Sequence, residues 1–103
     1  MDDCVEALLL AASKREAEGE IFNLGGCDVV TLKEVGDLIK KIEPRARYAL
    51  RTFPAERKAI DIGDFYADYA KIQKKLGWEP RTTLQEGLQK TLAFYTKNLS
   101  LFL

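Results

Sequence analysis

RKAIDIGDFYADYAKIQKKLGWEP, residues 57–80, is the stretch whose reading organises the rest of the chain. Its first half has no clear period, so 51–65 reads as a long loop, with an extended piece at Ala59–Ile62. Loops of that length in compact domains are often functional. Asp68 can cap a helix over about 69–76, because a side-chain oxygen there accepts an orphaned backbone N–H. Gly77 ends that helix in the left-handed conformation, and Pro80 stops its continuation.

Helical period also appears at residues 3–17, where Val5, Leu8, Leu9 and Ala12 form one apolar stripe and Asp3 with Glu6 marks the start. After Gly19, Glu20-Ile21-Phe22-Asn23-Leu24 reads as a short strand closed by a tight turn at Gly25-Gly26. Thr31-x-x-Glu34 is a capping box opening a helix through Ile42, with Leu32, Val35, Leu38, Ile39 and Ile42 inward and Pro44 beyond its end. Ala46–Leu50 reads as a second short strand. A second capping box, Thr83-x-x-Glu86, starts a last helix bearing Leu84, Leu88, Thr91, Leu92 and Tyr95. The expected fold class is α+β: one domain over 1–103, about four helices with two or three short strands.

The totals narrow the function. Sixteen Lys+Arg balance sixteen Asp+Glu, so no basic excess draws nucleic acid. Cys4 and Cys27 form no Cys-x-x-Cys pair, and without histidine a zinc site of the usual kind lacks ligands. Two unpaired thiols fit a reducing cytosol. Val5–Ala12, the longest apolar stretch, falls far short of the ~20 residues a membrane span needs. The acidic start, Asp2-Asp3, is not that of a secretory signal. The expectation is a cytoplasmic protein with no membrane partner.

Chemistry is scarce. A dinucleotide-binding turn needs three spaced glycines, whereas Asp28 and Val29 follow Gly25-Gly26. A Tyr-x-x-x-Lys pair, in which an ammonium lowers the phenol's pKa, fails at every tyrosine: Tyr48, Tyr66, Tyr69 and Tyr95 are followed four residues later by Thr52, Ala70, Gln73 and Leu99. No Ser-His-Asp or Cys-His arrangement exists. Trp78 reads as a core anchor rather than a stacking platform for a base.

The order Arg57, Asp61, Tyr66-Ala67-Asp68, Lys71, Leu76-Gly77-Trp78, Pro80 and Leu84-x-Glu86-Gly87-Leu88 resembles the C-terminal part of the extended short-chain dehydrogenases/reductases, the NAD-dependent nucleotide-sugar epimerases and dehydratases. Asp2-Asp3-x-Val5-x-Ala7 resembles the family's Val-Asp-Asp-Val-Val-x-Ala segment, and Asn23-Leu24-Gly25 its strand-ending Asn-x-Gly, where a buried asparagine would satisfy loop backbone groups. The likeness covers nearly the whole chain. It implies a substrate-binding C-terminal portion, truncated at its start, whose parent enzyme binds NAD or NADP and a nucleotide-diphosphate sugar. The Rossmann half with its Gly-rich turn and catalytic dyad is absent, so this chain is expected to hold no cofactor and to be inactive alone.

The resemblance also assigns a site. The family places an arginine shortly before an aspartate, in an Arg-Pro-Gly-Asp pattern, to contact the substrate's diphosphate; here the stretch reads Arg57-Lys58-Ala59-Ile60-Asp61. Arg57 is the expected phosphate ligand, Lys58 its rival, and Asp61 and Tyr66 order the substrate loop. A guanidinium suits phosphate because its planar fork donates two parallel hydrogen bonds. The bland alternative is a solvated arginine beside Glu56. At the level of the whole chain the competing reading is a stand-alone protein-interaction module, with the first helix and the Leu99–Leu103 tail as its sticky faces. Either way, apolar residues left without cover point to a homo-oligomer.

Overall fold

The computed structural model describes residues 1–102; of the apolar tail, Leu103 lies outside them. Five helices carry the regular structure: α1 (Asp2–Ser13), α2 (Leu32–Ile42), α3 (Ala55–Lys58), α4 (Ala70–Leu76) and α5 (Leu84–Asn98), with 3-10 turns at Arg15–Ala17 and Leu99–Leu101. The chain divides into two compact units, the first from Met1–Val29 and Tyr66–Gly87, the second from Val30–Phe65 and Leu88–Leu103.

The first unit has a dry core. Ala7 of α1, Ile72 and Leu76 of α4, and Trp78 are buried, with Leu10, Ala11, Ala17, Phe22, Leu24 and Tyr69 packed around them. Full burial of a side chain such as Ile72 or Leu76 is worth roughly 1.5–3 kcal/mol. Polar ties close the same contact. The Trp78 indole N–H donates to the Asp3 carbonyl at 2.8 Å, and Lys14 donates to the Leu76 carbonyl at 2.7 Å. Asp3 does not cap α1, which starts with no side-chain cap. Its carboxylate instead accepts the backbone N–H groups of Arg81 and Thr82 at 3.3 and 3.0 Å. That donation, from Thr82 above all, holds the Asp3 carboxyl below its ordinary range.

The stripe expected to face inward on α1 is the outer one. Val5, Leu8, Leu9 and Ala12 are exposed, while Ala7, Leu10 and Ala11 meet the core at the same i, i+3, i+4 spacing. Because residues 7–12 are apolar without a break, α1 carries two such stripes, and only the partner chooses between them.

No strand forms among the described residues, which corrects the α+β expectation. A strand is defined by a ladder with a neighbour, and none of the three extended candidates has one. Glu20–Leu24 lies along α4 instead. Lys71 donates to the Ile21 carbonyl at 2.8 Å and sits 5.4 Å over the Phe22 ring, and Lys71 and Lys75 both pair with Glu20. Ala46–Leu50 leaves a turn, Ala46 N–H to Glu43 carbonyl, and the Arg47 side chain donates to the carbonyls of Pro44 and Ala46. Ala59–Ile62 leaves α3, whose last bonds run from Ala59 and Ile60 N–H back to Ala55 and Arg57 carbonyls.

In the second unit the Thr31/Glu34 capping box is fully made, each side chain reaching the other's backbone N–H. Val35, Leu38, Ile39 and Ile42 are half-buried, whereas Leu32 of the same expected face is exposed. Lys33 pairs with Asp37 at 2.7 Å, and Asp37 also accepts the Tyr48 hydroxyl. Phe94, Tyr95 and Phe102 cluster with ring centroids 5.1–6.3 Å apart, Phe94 edge-on to both and Tyr95 tilted against Phe102.

Candidate functional site

The long loop expected over 51–65 contains a one-turn helix. Pro54 (φ −58°) precedes Ala55-Glu56-Arg57-Lys58, good helix formers all, and the turn they make is α3. Arg57 and Lys58 therefore sit side by side on one short exposed turn, and Asp61 follows three residues later, also exposed. These three belong to the second unit, whereas Tyr66, 73% exposed, opens the second segment of the first. Every residue from 51 to 66 is exposed.

The side chains of Arg57 and Lys58 pair with no carboxylate among the described residues, and Glu56 beside them claims neither. Arg51, six residues upstream, shares that condition. Three cations, Arg51, Arg57 and Lys58, thus fall in this stretch with Glu56 among them, and the acids Asp61 and Asp64 follow. Unpaired, solvated cations with planar or point donors are the chemistry an anionic phosphate needs. In open water such pairing is weak.

Gly63 bears on the register of the Arg-Pro-Gly-Asp pattern. Its φ of 73° is a conformation few other residues adopt, and Asp64 follows it, so Gly63-Asp64 is a second match for the pattern's last two residues. In that register Asp61 takes the arginine's place, and Arg57 stands four residues upstream.

Other expected residues fall elsewhere. Asn23 is exposed, not buried. Trp78, 2% exposed, is a core anchor. Gly25 and Gly26 make no left-handed turn. Residues 24–32 do not fit a dinucleotide's pyrophosphate: space over Gly25 is filled by Ala67 and Tyr69, and the α2 N-terminus is closed by its own capping box. Among the described residues no group of three or more Cys, Asp or Glu could hold a metal ion, and no helix is long and apolar enough to cross a membrane.

Comparison with known proteins bears on what these exposed residues serve. Residues 1–91 match the family model for GDP-mannose 4,6 dehydratase. The chain is 32% identical to dTDP-glucose 4,6-dehydratase of Haemophilus influenzae, across 97% of this chain and 32% of that enzyme. Its namesake from Neisseria meningitidis is 34% identical, across 78% of this chain and 25% of its own length. The solved structure of UDP-glucose 4-epimerase with UDP-glucose, from Thermotoga maritima, superposes with a TM-score of 0.76 at 35% identity, over 95% of this chain and 30% of that one. The chain thus spans between a quarter and a third of the length of these relatives. With most of its residues inside the family model and its fold shared with a solved member, this chain belongs to the nucleotide-sugar epimerase/dehydratase family of extended short-chain dehydrogenases/reductases.

Proposed function

We propose that this chain supplies part of a nucleotide-diphosphate-sugar site, with Arg57 meeting the diphosphate, Lys58 beside it, and Asp61 and Tyr66 ordering the loop. The observation that carries the reading is the exposed, unpaired Arg57-Lys58 turn within a chain that superposes on a UDP-glucose-bound relative. The walls of a complete site are not made by a segment exposed throughout, so the affinity is weak. A dissociation constant no tighter than about millimolar corresponds to roughly −4 kcal/mol. UDP should perturb amide shifts over residues 56–66, and Arg57→Ala should abolish the response. A response that survives Arg57→Ala and falls with Lys58→Ala transfers the role to Lys58.

Alone, the chain performs no epimerase, dehydratase or hydride chemistry. Its 103 residues hold neither a three-glycine turn nor a Tyr-x-x-x-Lys pair, so NAD and NADP, the cofactors implied by the resemblance, find no site here. Calorimetric titration with millimolar NAD should give no saturable heat; saturation would overturn this point.

The partner proposed beside the sugar nucleotide is a second copy. Val5, Leu8 and Leu9 of α1 and Ile21 are 46–82% exposed, and Leu99, Leu101 and Phe102 are at least half exposed. Phe22 and Leu24, by contrast, are packed on the core and add nothing to that surface. Monomeric proteins rarely leave broad apolar patches bare. Sedimentation equilibrium at tens of micromolar should report a mass above 11.6 kDa; a clean monomer at that mass would refute self-association.

A further inference from the structure

Gly25 owes its identity to space rather than to backbone conformation. Its φ lies outside the left-handed region that Gly19, Gly63 and Gly77 occupy. A Cβ at position 25 would lie 2.8 Å from the Ala67 carbonyl oxygen and 2.9 Å from Tyr69 Cδ1. Contacts that short do not persist, so one side must move. At Gly26, the next residue, a Cβ would meet nothing within 4 Å. The two glycines are therefore not equivalent.

The far side of the 67–70 segment has little room to give. The Tyr69 ring stands edge-on to Trp78, with centroids 6.0 Å apart, and Trp78 is in the core. The Ala70 N–H is held by Asp68 Oδ1 at 2.8 Å, which ties the segment to the start of α4. Displacement of Ala67 is then relieved most easily on its free side, at Tyr66, which is exposed. We propose that Gly25 is a positioning residue: the absent Cβ sets how closely Ala67–Tyr69 approach the 24–26 segment, and so where Tyr66 stands. This rests on the reading of Tyr66 as part of the sugar-nucleotide loop.

The test is a UDP titration of the whole chain by NMR, comparing wild type, Gly25→Ala and Gly26→Ala. Loss of a single polar contact weakens binding by roughly two- to tenfold, so Gly25→Ala should weaken the response at amides 65–67 by about threefold. The response at Arg57 and Lys58 should persist, a split that general loosening would not produce. Gly26→Ala should keep both. An unchanged response at 65–67 in Gly25→Ala, or equal loss at both places, overturns the positioning role. A wild type that ignores UDP overturns the site reading itself, and this role with it. Should Gly25→Ala unfold, as a red-shifted Trp78 emission would report, Tyr69→Leu approaches the same contact from the other side. Selective loss at 65–67 in that variant supports the role, and an unchanged response there overturns it.

Discussion

The two units of this chain are held by different means. In the first, Ala7, Ile72, Leu76 and Trp78 are shut from water, and ties such as Trp78 to Asp3, Lys14 to Leu76 and Lys71 to Ile21 join residues 50 or more apart. No described residue of the second is fully buried. Its bonds are mostly local: Thr31 with Glu34, Lys33 with Asp37, Tyr48 with Asp37. Caps and i,i+4 pairs contribute tenths of a kcal/mol to about 1 kcal/mol each, whereas a buried Leu contributes several times that. The exposed Arg57-Lys58 turn belongs to the unit with less to hold it. Binding segments are commonly drawn from the less stable parts of a structure, and the turn proposed to meet the diphosphate falls in such a part.

The sharpest way to break that comparison is to cut an apolar side chain in each unit. Leu76→Ala should cost about 2–5 kcal/mol, read from urea unfolding followed by Trp78 emission. Leu38→Ala, at a half-buried site, should cost distinctly less, read from amide exchange in α2. Equal costs would show that the second unit hides a core of its own. Next in size is Thr31→Ala, which removes the α2 cap and should destabilise that helix by about 1 kcal/mol while leaving Trp78 emission unmoved.

Two pH experiments are smaller in effect and sharpen the contrast. Hydrogen bonds from Lys71 and then Lys75, with their charges, lower the Glu20 carboxyl from an ordinary 4.5 to about 2. A depressed folded pKa means stability that is present above the unfolded value and lost as pH falls from about 4.5 toward 2. Acid should therefore loosen the 20–24 segment from α4 within that window. Glu20→Gln should show a weaker pH dependence there, and an unaltered profile would remove Glu20 from the account. In the second unit the sign reverses. Its hydrogen bond to Asp37 raises the Tyr48 phenol above 10.0. That stabilisation is full below the unfolded value and is lost as pH climbs past 10 through the folded pKa. Tyr48→Phe should remove the alkaline change in α2 amide protection and leave the acid loosening of the 20–24 segment as it is.

Much of the local structure was legible from residues close together in the chain. Both capping boxes, the stop at Gly77 and the end of α2 before Pro44 are as read, because each depends on groups within a few residues of one another. The order of weak motifs from Asp2 to Leu88 was enough to point to the family, since spacing along a chain survives without knowledge of contacts. The candidate site was half legible. Arg57 and Lys58 stood out as cations in a loop, but their place on a turn of helix after Pro54 did not, because that stretch shows no period.

Tertiary structure alone decided which stripe of α1 is buried, since Val5-Leu8-Leu9-Ala12 and Ala7-Leu10-Ala11 are equally good stripes until Ile72, Leu76 and Trp78 choose one. It also decided that Glu20–Leu24 packs on α4 through lysines rather than pairing as a strand, since propensity cannot supply a ladder partner. The demand for glycine at position 25 comes from Ala67 and Tyr69, more than 40 residues away. What a few neighbouring residues can satisfy, the sequence determines by itself; what depends on a distant surface, only the folded chain decides.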